Sequence, residues 1–247
     1  MVDPLLKIMR QLRDPETGCE WDKVQTFQSI APYTIEESYE VSDAIERNDM
    51  DGLKDELGDL LLQVVFHSQI ATDEGHFEFN DVVASICAKM ERRHPHIFGD
   101  DDQNPEWEEL KASERNEKGD RSALDGVAIA LPALLRAQKI QKRAARVGFD
   151  WPDVKQVMDK VHEELAEVEE ASTPEDIEEE IGDLLFATVN LARHHGIEAE
   201  NALKEATKKF GNRFRSVEDQ AGKDLIQLPL EQLEKYWQRA KENEKSA

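Results

Sequence analysis

The stretch "DELGDLLLQVVFHSQIA" at residues 55–71 returns as "EEIGDLLFATVNLARHHG" at 179–196. Both runs read acid, Glu, aliphatic, Gly, Asp, Leu, Leu. Internal repeats are sought before local propensities, because they decide the architecture. Here more than one segment repeats. "GCEWDKVQTFQSI" (18–30) parallels "GFDWPDVKQVMDKV" (148–161), and "IEESYEV" (35–41) parallels "HEELAEV" (162–168). "KMERRH" (89–94) parallels "KFGNRF" (209–214), and "WEELKASE" (107–114) parallels "WQRAKENE" (237–244). The order is the same in both halves. The chain is a tandem duplication of one long helical module rather than a short-period solenoid.

Helix punctuation supports the module. Thr34 with Glu37 reads as a capping box that starts a helix, and Asn48 ends it. Residues 51–73 form the next helix, closed by Gly75. Asn80 caps a third, which Pro95 stops after Arg93. In the second half Pro132 suits a first helical position and Gly148 a C-terminal one. Helices over 152–171, 174–195 and 198–220 follow, with Thr173-Pro174 as cap and first residue and Gly196 as terminator. A last helix starts near Pro229. Residues 99–122 are polar and only partly helical in pattern. The modules therefore divide between 115 and 125, taken as 1–118 and 119–247. No segment alternates convincingly with a period of two, so the expected fold class is all-α.

Composition excludes some functions. The 31 Lys and Arg against 54 Asp and Glu give a net charge of −23, where nucleic-acid polymers call for a basic stripe. Free nucleotides are compatible, because they arrive with a divalent cation that an acidic pocket can hold. Cys19 and Cys87 have no metal-like spacing and read as ordinary residues of a reducing compartment. The first residues lack the apolar run of a signal peptide, and the apolar runs elsewhere are too short to span a bilayer. The expectation is a soluble cytoplasmic protein without a membrane or nucleic-acid-polymer partner.

The acids carry the chemistry. Leu184, Leu185, Phe186, Val189, Leu191 and Ala192 make the 174–195 helix apolar around much of its circumference, which predicts burial on more than one side. Glu180, Asp183, Asn190 and His194 nevertheless fall on one polar line. Glu56, Asp59, Gln63 and His67 form its counterpart. The preceding helices carry Glu163, Glu164 and Glu167, and likewise Glu36, Glu37 and Glu40. A short connection makes each pair of helices antiparallel neighbours. Glu164 and Glu167 then face Glu180 and Asp183, while Glu37 and Glu40 face Glu56 and Asp59. Facing carboxylates raise one another's pKa and are costly to bury, and a divalent cation removes both penalties. An all-oxygen set favours Mg²⁺, Mn²⁺ or Ca²⁺ over zinc or copper. A di-iron site is disfavoured, because Glu-x-x-His occurs only as Glu91 to His94. Gly58 and Gly182 weaken their helices, and close approach of another helix would offset that. His67 and His194 read as hydrogen-bonded helix histidines rather than ligands.

A basic complement accompanies the acids. Lys209 and Arg213 lie one turn apart on one face, and Lys89 and Arg93 repeat the spacing. Lys160 precedes Glu164 by one turn. Trp237 with Lys241 matches Trp107 with Lys111, and a tryptophan can stack on a base or anchor a helix.

These elements together resemble the MazG family of nucleoside triphosphate pyrophosphohydrolases. The resemblance rests on "GCEWDKVQT", "IAPYTIEESYEV", "DELGDLLLQVVF", "ERRHPHIF", "LPALLRAQKIQKRAARVGFDW" and "GDLLFATVNLAR", and covers nearly the whole chain. It implies four-helix-bundle-like modules, normally in a homodimer. It also implies Mg²⁺-dependent hydrolysis of NTPs and dNTPs to the monophosphate and pyrophosphate. By motif match, Glu164, Glu167, Glu180 and Asp183 are the metal ligands, and Lys209 and Arg213 hold the phosphates. Glu163 or Glu164 is the candidate proton acceptor. Lys160, Asn190, Trp237 and Lys241 complete the expected substrate site. Glu37, Glu40, Glu56, Asp59, Lys89 and Arg93 form a second possible site. The second module has Lys160 and Asn190 where the first has Tyr33 and Phe66, which makes it the main catalytic candidate. Two alternatives share the acids: a narrower enzyme for particular or damaged dNTPs, and a non-catalytic sensor of metal or nucleotide.

Overall fold

A computed structural model describes residues 2–99 and 122–246. Contacts divide the chain into two compact units, Met1–Ser113 and Glu114–Ala247. The expected 118/119 division, the polar segment between the halves, and Trp107 with Lys111 lie outside the described residues. All regular structure among the described residues is helical.

The first unit opens with α1 (Asp3–Leu12), which the repeat pattern did not announce. Then come α2 (Phe27–Glu46), α3 (Met50–Asp73), α4 (Phe79–Arg93) and the short α5 (Pro95–Phe98). Helix α2 starts well before the expected Thr34. Thr26 is its cap: its hydroxyl accepts from Ser29 N at 3.3 Å, and Ser29 Oγ accepts from Thr26 N at 2.9 Å. Pro32 lies inside the helix. It removes one intrahelical bond, and the helix continues through it to Glu46. Thr34 is thus a mid-helix residue, and its Oγ1 lies 3.1 Å from His67 Nε2. Asn48 takes a left-handed φ of 54°, and Asp49 caps α3 by accepting from Gly52 N at 2.9 Å. For α4 the cap is Glu78 paired with Asp81, not Asn80.

The first core gathers Met9, Ile30, Val65, Phe66 and Ile70, with Val2, Leu5, Leu6, Phe27, Leu62 and Phe79 around it. Burying α1 in this way ties the segment before α2 to the back of α3. Arg13 fixes that segment: its Nε donates to Asp73 at 2.7 Å and its Nη1 to the carbonyls of Asp22 and Gln25.

The second unit contains α6 (Ala133–Arg146), α7 (Val154–Glu170), α8 (Pro174–His194), α9 (Ala199–Ala221) and α10 (Leu230–Ser246). Pro132 stands at the cap of α6, one place before the expected first helical position. The α7–α8 hairpin is closed by Thr173, which accepts from Asp176 N at 3.1 Å, with Pro174 in the first turn. Gly148 and Gly196 have φ of 86° and 69°, the left-handed ends their positions implied. Val157, Ala187, Val189, Ala199 and Val217 are buried. Two buried glutamines lock α6 to this core. Gln138 donates to Ile197 O at 2.7 Å and accepts from Ala199 N at 2.9 Å, while Gln141 donates to Phe186 O at 2.8 Å.

Two expectations about the acidic helices are corrected. Helix α8 is not buried on more than one side among the described residues, and α3 shares this exposure. Leu57 and Leu185 remain 50% and 51% exposed, and Leu61, Val64, Ile177, Ile181 and Phe186 are exposed as well. Nor, among the described residues, does another helix approach the two glycines: a Cβ added at Gly58 or Gly182 meets nothing within 4 Å. The apolar residues encircle each helix, but among the described residues only part of that circumference is covered.

Candidate metal centre and anion site

The α7–α8 hairpin brings Glu164, Glu180 and Asp183 together, with one carboxylate oxygen from each within 4.8 Å of the others. Glu164 is the buried member, Glu180 is half-buried and Asp183 is exposed. Lys160 Nζ binds Glu164 Oε1 and Glu163 Oε1, both at 2.7 Å. Hydrogen bonds to Glu163 and Glu164 raise the Lys160 ammonium above its ordinary pKa. The other oxygen of Glu164, Oε2, is buried without a hydrogen-bond partner. Glu167 stands beside this trio. Contact with the Glu164 carboxyl raises its pKa first, then burial, then the charges of Glu164 and Glu180. Burial, then Asp183 and Glu164, raise that of Glu180.

The α2–α3 hairpin gathers Glu37, Glu40 and Glu56 in the same way, with one carboxylate oxygen from each within 4.8 Å of the others. Asp59 stands outside this trio but acts on it. Burial and then Asp59 raise the pKa of Glu37, while burial and then Glu40 raise that of Glu56. The two clusters differ in composition: one draws two acids from its first helix, the other two from its second. Lys89 and Arg93 lie one turn apart on α4, and the leading charges acting on Glu37 and Glu56 are carboxylates.

Lys209 and Arg213 lie on α9, where their electrostatic partner is Glu244 of α10. Arg213 Nε and Nη2 donate to Glu244 Oε2 at 2.9 and 2.7 Å. The Arg213 guanidinium sits 5.7 Å from the centre of the Trp237 ring, which in turn packs on Phe210 at 5.1 Å. The Arg213 hydrogen bond, with the charges of Arg213 and Lys209, holds the Glu244 carboxyl below its ordinary range, with burial opposing. Lys241 follows Trp237 by one turn on α10.

Asn190 is buried two turns beyond Asp183, and its Oδ1 accepts from Arg193 Nε at 2.8 Å. Arg193 also clasps Asp150, with Nη1 to Oδ2 at 2.9 Å, and His194 Nε2 lies 3.0 Å from Asp150 Oδ1. These contacts tie the Gly148–Trp151 loop, which lines a cavity of about 240 Å³, to the end of α8. His67 stacks on Phe27 at 5.9 Å and contacts Thr34. Both histidines therefore have structural partners, as the sequence suggested. In the first unit Trp21 packs on Tyr33 and Phe66 at 6.2 and 6.3 Å. Aromatic rings thus stand where the second unit has Lys160 and Asn190. Sequence reasoning did not find Asp150, Arg193 or Glu244. The recurrence of an acid before each tryptophan (Glu20, Asp150) was the available signal for Asp150.

Comparison with known proteins agrees with this architecture. Residues 25–98 and 153–218 match the MazG nucleotide pyrophosphohydrolase domain, once in each unit. A nucleoside triphosphate pyrophosphohydrolase of Escherichia coli K12 is 53% identical, covering 98% of each chain. A Thermotoga maritima protein, nucleoside triphosphate pyrophosphohydrolase/pyrophosphatase MazG, is 47% identical over 98% of this chain and 96% of its own. A nucleoside triphosphate pyrophosphohydrolase of Mycobacterium tuberculosis is 39% identical over 54% of this chain and 42% of its own.

Proposed function

The chain belongs to the MazG nucleotide pyrophosphohydrolase family, and on that premise we propose that it hydrolyses NTPs and dNTPs to the monophosphate and pyrophosphate. The observation that carries the assignment is the convergence of Glu164, Glu180 and Asp183 around the unpartnered buried Oε2 of Glu164. That oxygen is buried, and apart from the Lys160 ammonium on Oε1 the charged groups named around it are the carboxylates of Glu167, Glu180 and Asp183. A hard divalent cation fits this all-oxygen donor set. Glu164, Glu180 and Asp183, with Glu167 beside them, would hold Mg²⁺, with Mn²⁺ as a substitute. When bound, such a cation supplies charge neutralisation on the phosphates and a more acidic water.

The chain's own groups do the rest. Lys160 orients Glu163 and Glu164 through its two ion pairs. Glu163, the more exposed of the two, accepts the proton of the attacking water. The water oxygen bonds to the α-phosphorus, the bond from that phosphorus to the bridging oxygen breaks, and the electron pair leaves with pyrophosphate. Lys209 and Arg213 bind phosphate oxygens and stabilise the charge that develops there. Trp237 and Lys241 line the same face of α10, and Asn190, fixed by Arg193, contributes a polar group to the substrate site.

The second unit is the main catalytic one. The aromatic cluster of Trp21, Tyr33 and Phe66 in the first unit supports this, because it fills positions that carry Lys160 and Asn190 in the second. The exposed apolar stripe of Ile177, Ile181 and Leu185 supports a homodimer. The net charge of −23 supports free nucleotides rather than a nucleic-acid polymer as partner, and a cytoplasmic setting fits these substrates. Among the described residues no helix is long and apolar enough to cross a membrane.

The test is a panel of all eight NTPs and dNTPs with Mg²⁺, with the products separated by ion-exchange chromatography. Monophosphate and pyrophosphate in equal amounts from several bases is the expected result. Turnover of one base alone would establish the narrower enzyme. Nucleotide binding without any product would establish the sensor.

A further inference from the structure

The anion site formed by Lys209 and Arg213 is occupied by a carboxylate of the chain itself. Glu244 Oε2 accepts both Arg213 bonds, at 2.9 and 2.7 Å, and feels the charge of Lys209. Trp237, Lys241 and Glu244 stand at i, i+4 and i+7 on α10, so one face of that helix presents ring, ammonium and carboxylate to the same region. The Arg213 guanidinium is shared between the Trp237 ring and Glu244. A phosphate oxygen seeks the same N–H donors that Glu244 uses, and a guanidinium fork cannot satisfy both fully.

From this geometry we infer that Glu244 is an internal competitor for substrate phosphate, a residue that sets affinity and favours release of pyrophosphate. The inference rests on the reading of Lys209 and Arg213 as phosphate-binding groups. In the free enzyme Glu244 screens the two cations. A triphosphate, with several anionic oxygens, displaces it. After the α-phosphorus bond is cleaved, the returning carboxylate offers the Arg213 donors an alternative partner and lowers the affinity for the leaving pyrophosphate. No proton or electron is exchanged in this step; one anion replaces another.

The experiment compares Glu244→Gln with the intact protein in the presence of Mg²⁺. Glutamine keeps the shape and removes the charge. Glu244 is 39% exposed, so the competition is that of a partly solvated ion pair. The expected effect is therefore a fall in KM for ATP of about two- to fivefold, with a matching fall in the inhibition constant of pyrophosphate. Arg213→Met and the double variant close the cycle. Arg213→Met should raise KM, and Glu244→Gln should have no effect in its background. An unchanged or higher KM in folded Glu244→Gln, with Arg213→Met raising KM, would overturn the inference alone. An Arg213→Met variant with unchanged KM would instead remove the phosphate-binding reading beneath it. A purely structural role for Glu244 would lower the melting temperature without moving KM or pyrophosphate inhibition.

Discussion

Replacing Lys160 by methionine isolates the electrostatics of the metal centre. The ammonium binds the buried Glu164 carboxylate at 2.7 Å, and Glu164 has a side-chain exposure of only 6%. Methionine keeps most of the stem and its packing but strands the carboxylate. Removing one member of a buried ion pair costs roughly 3–5 kcal/mol. Lys160 is 34% exposed, so solvent already weakens the pair, and about 2 kcal/mol is the expected loss for the metal-free protein. A divalent cation on Glu164, Glu180 and Asp183 would supply the missing positive charge. The loss should then shrink to about 0.5 kcal/mol or less in saturating Mg²⁺, the scale of an ordinary surface substitution. Urea unfolding of both proteins, with and without Mg²⁺, reads these differences as midpoint shifts. A loss that is the same with and without Mg²⁺ would refute the idea that cation and ammonium neutralise the same carboxylate.

Two further outcomes follow from the structure. Gln138→Ala removes the bonds to the part-buried Ile197 O and the buried Ala199 N, which should cost about 1–3 kcal/mol in urea unfolding. Glu37, Glu56, Glu167 and Glu180 all have pKa values raised above 4.5 in the metal-free protein. A raised carboxylate contributes stability that is complete below 4.5 and is lost as pH rises through the folded value. Cation binding needs the ionised form, so the gain in melting temperature on adding Mg²⁺ should grow as pH rises across that window. Asp150 and Glu244, whose pKa values are lowered, act oppositely and only at lower pH. A Mg²⁺ effect that is flat with pH would contradict the carboxylate site.

What the sequence disclosed and what it withheld have physical causes. Thr173-Pro174 and the glycines at 75, 148 and 196 are local signals, and each acts within its own turn. The acids at helical spacing meet in two hairpin clusters, each of three members where four were expected. The start of α2 was misread because Thr26 pairs with a serine rather than a glutamate, and because Pro32 looks like a breaker although the helix continues through it. Helix α1 was overlooked although Leu5, Leu6 and Met9 have core spacing, since the repeat offered no cue there. The apolar circumference of α3 and α8 told of a need for burial, but not whether the chain itself would supply it. The Arg213–Glu244 and Arg193–Asp150 pairs join residues 31 and 43 apart, and their meeting depends on how whole helices pack.

On the proposed mechanism, a divalent cation held by the α7–α8 acids would be required for pyrophosphate release. The most direct test of this requirement is the rate of that release for Glu180→Gln and Glu56→Gln, each checked by circular dichroism to be folded. Near-complete loss with Glu180→Gln and near-normal turnover with Glu56→Gln is the predicted result. Normal turnover by a folded Glu180→Gln protein would contradict it.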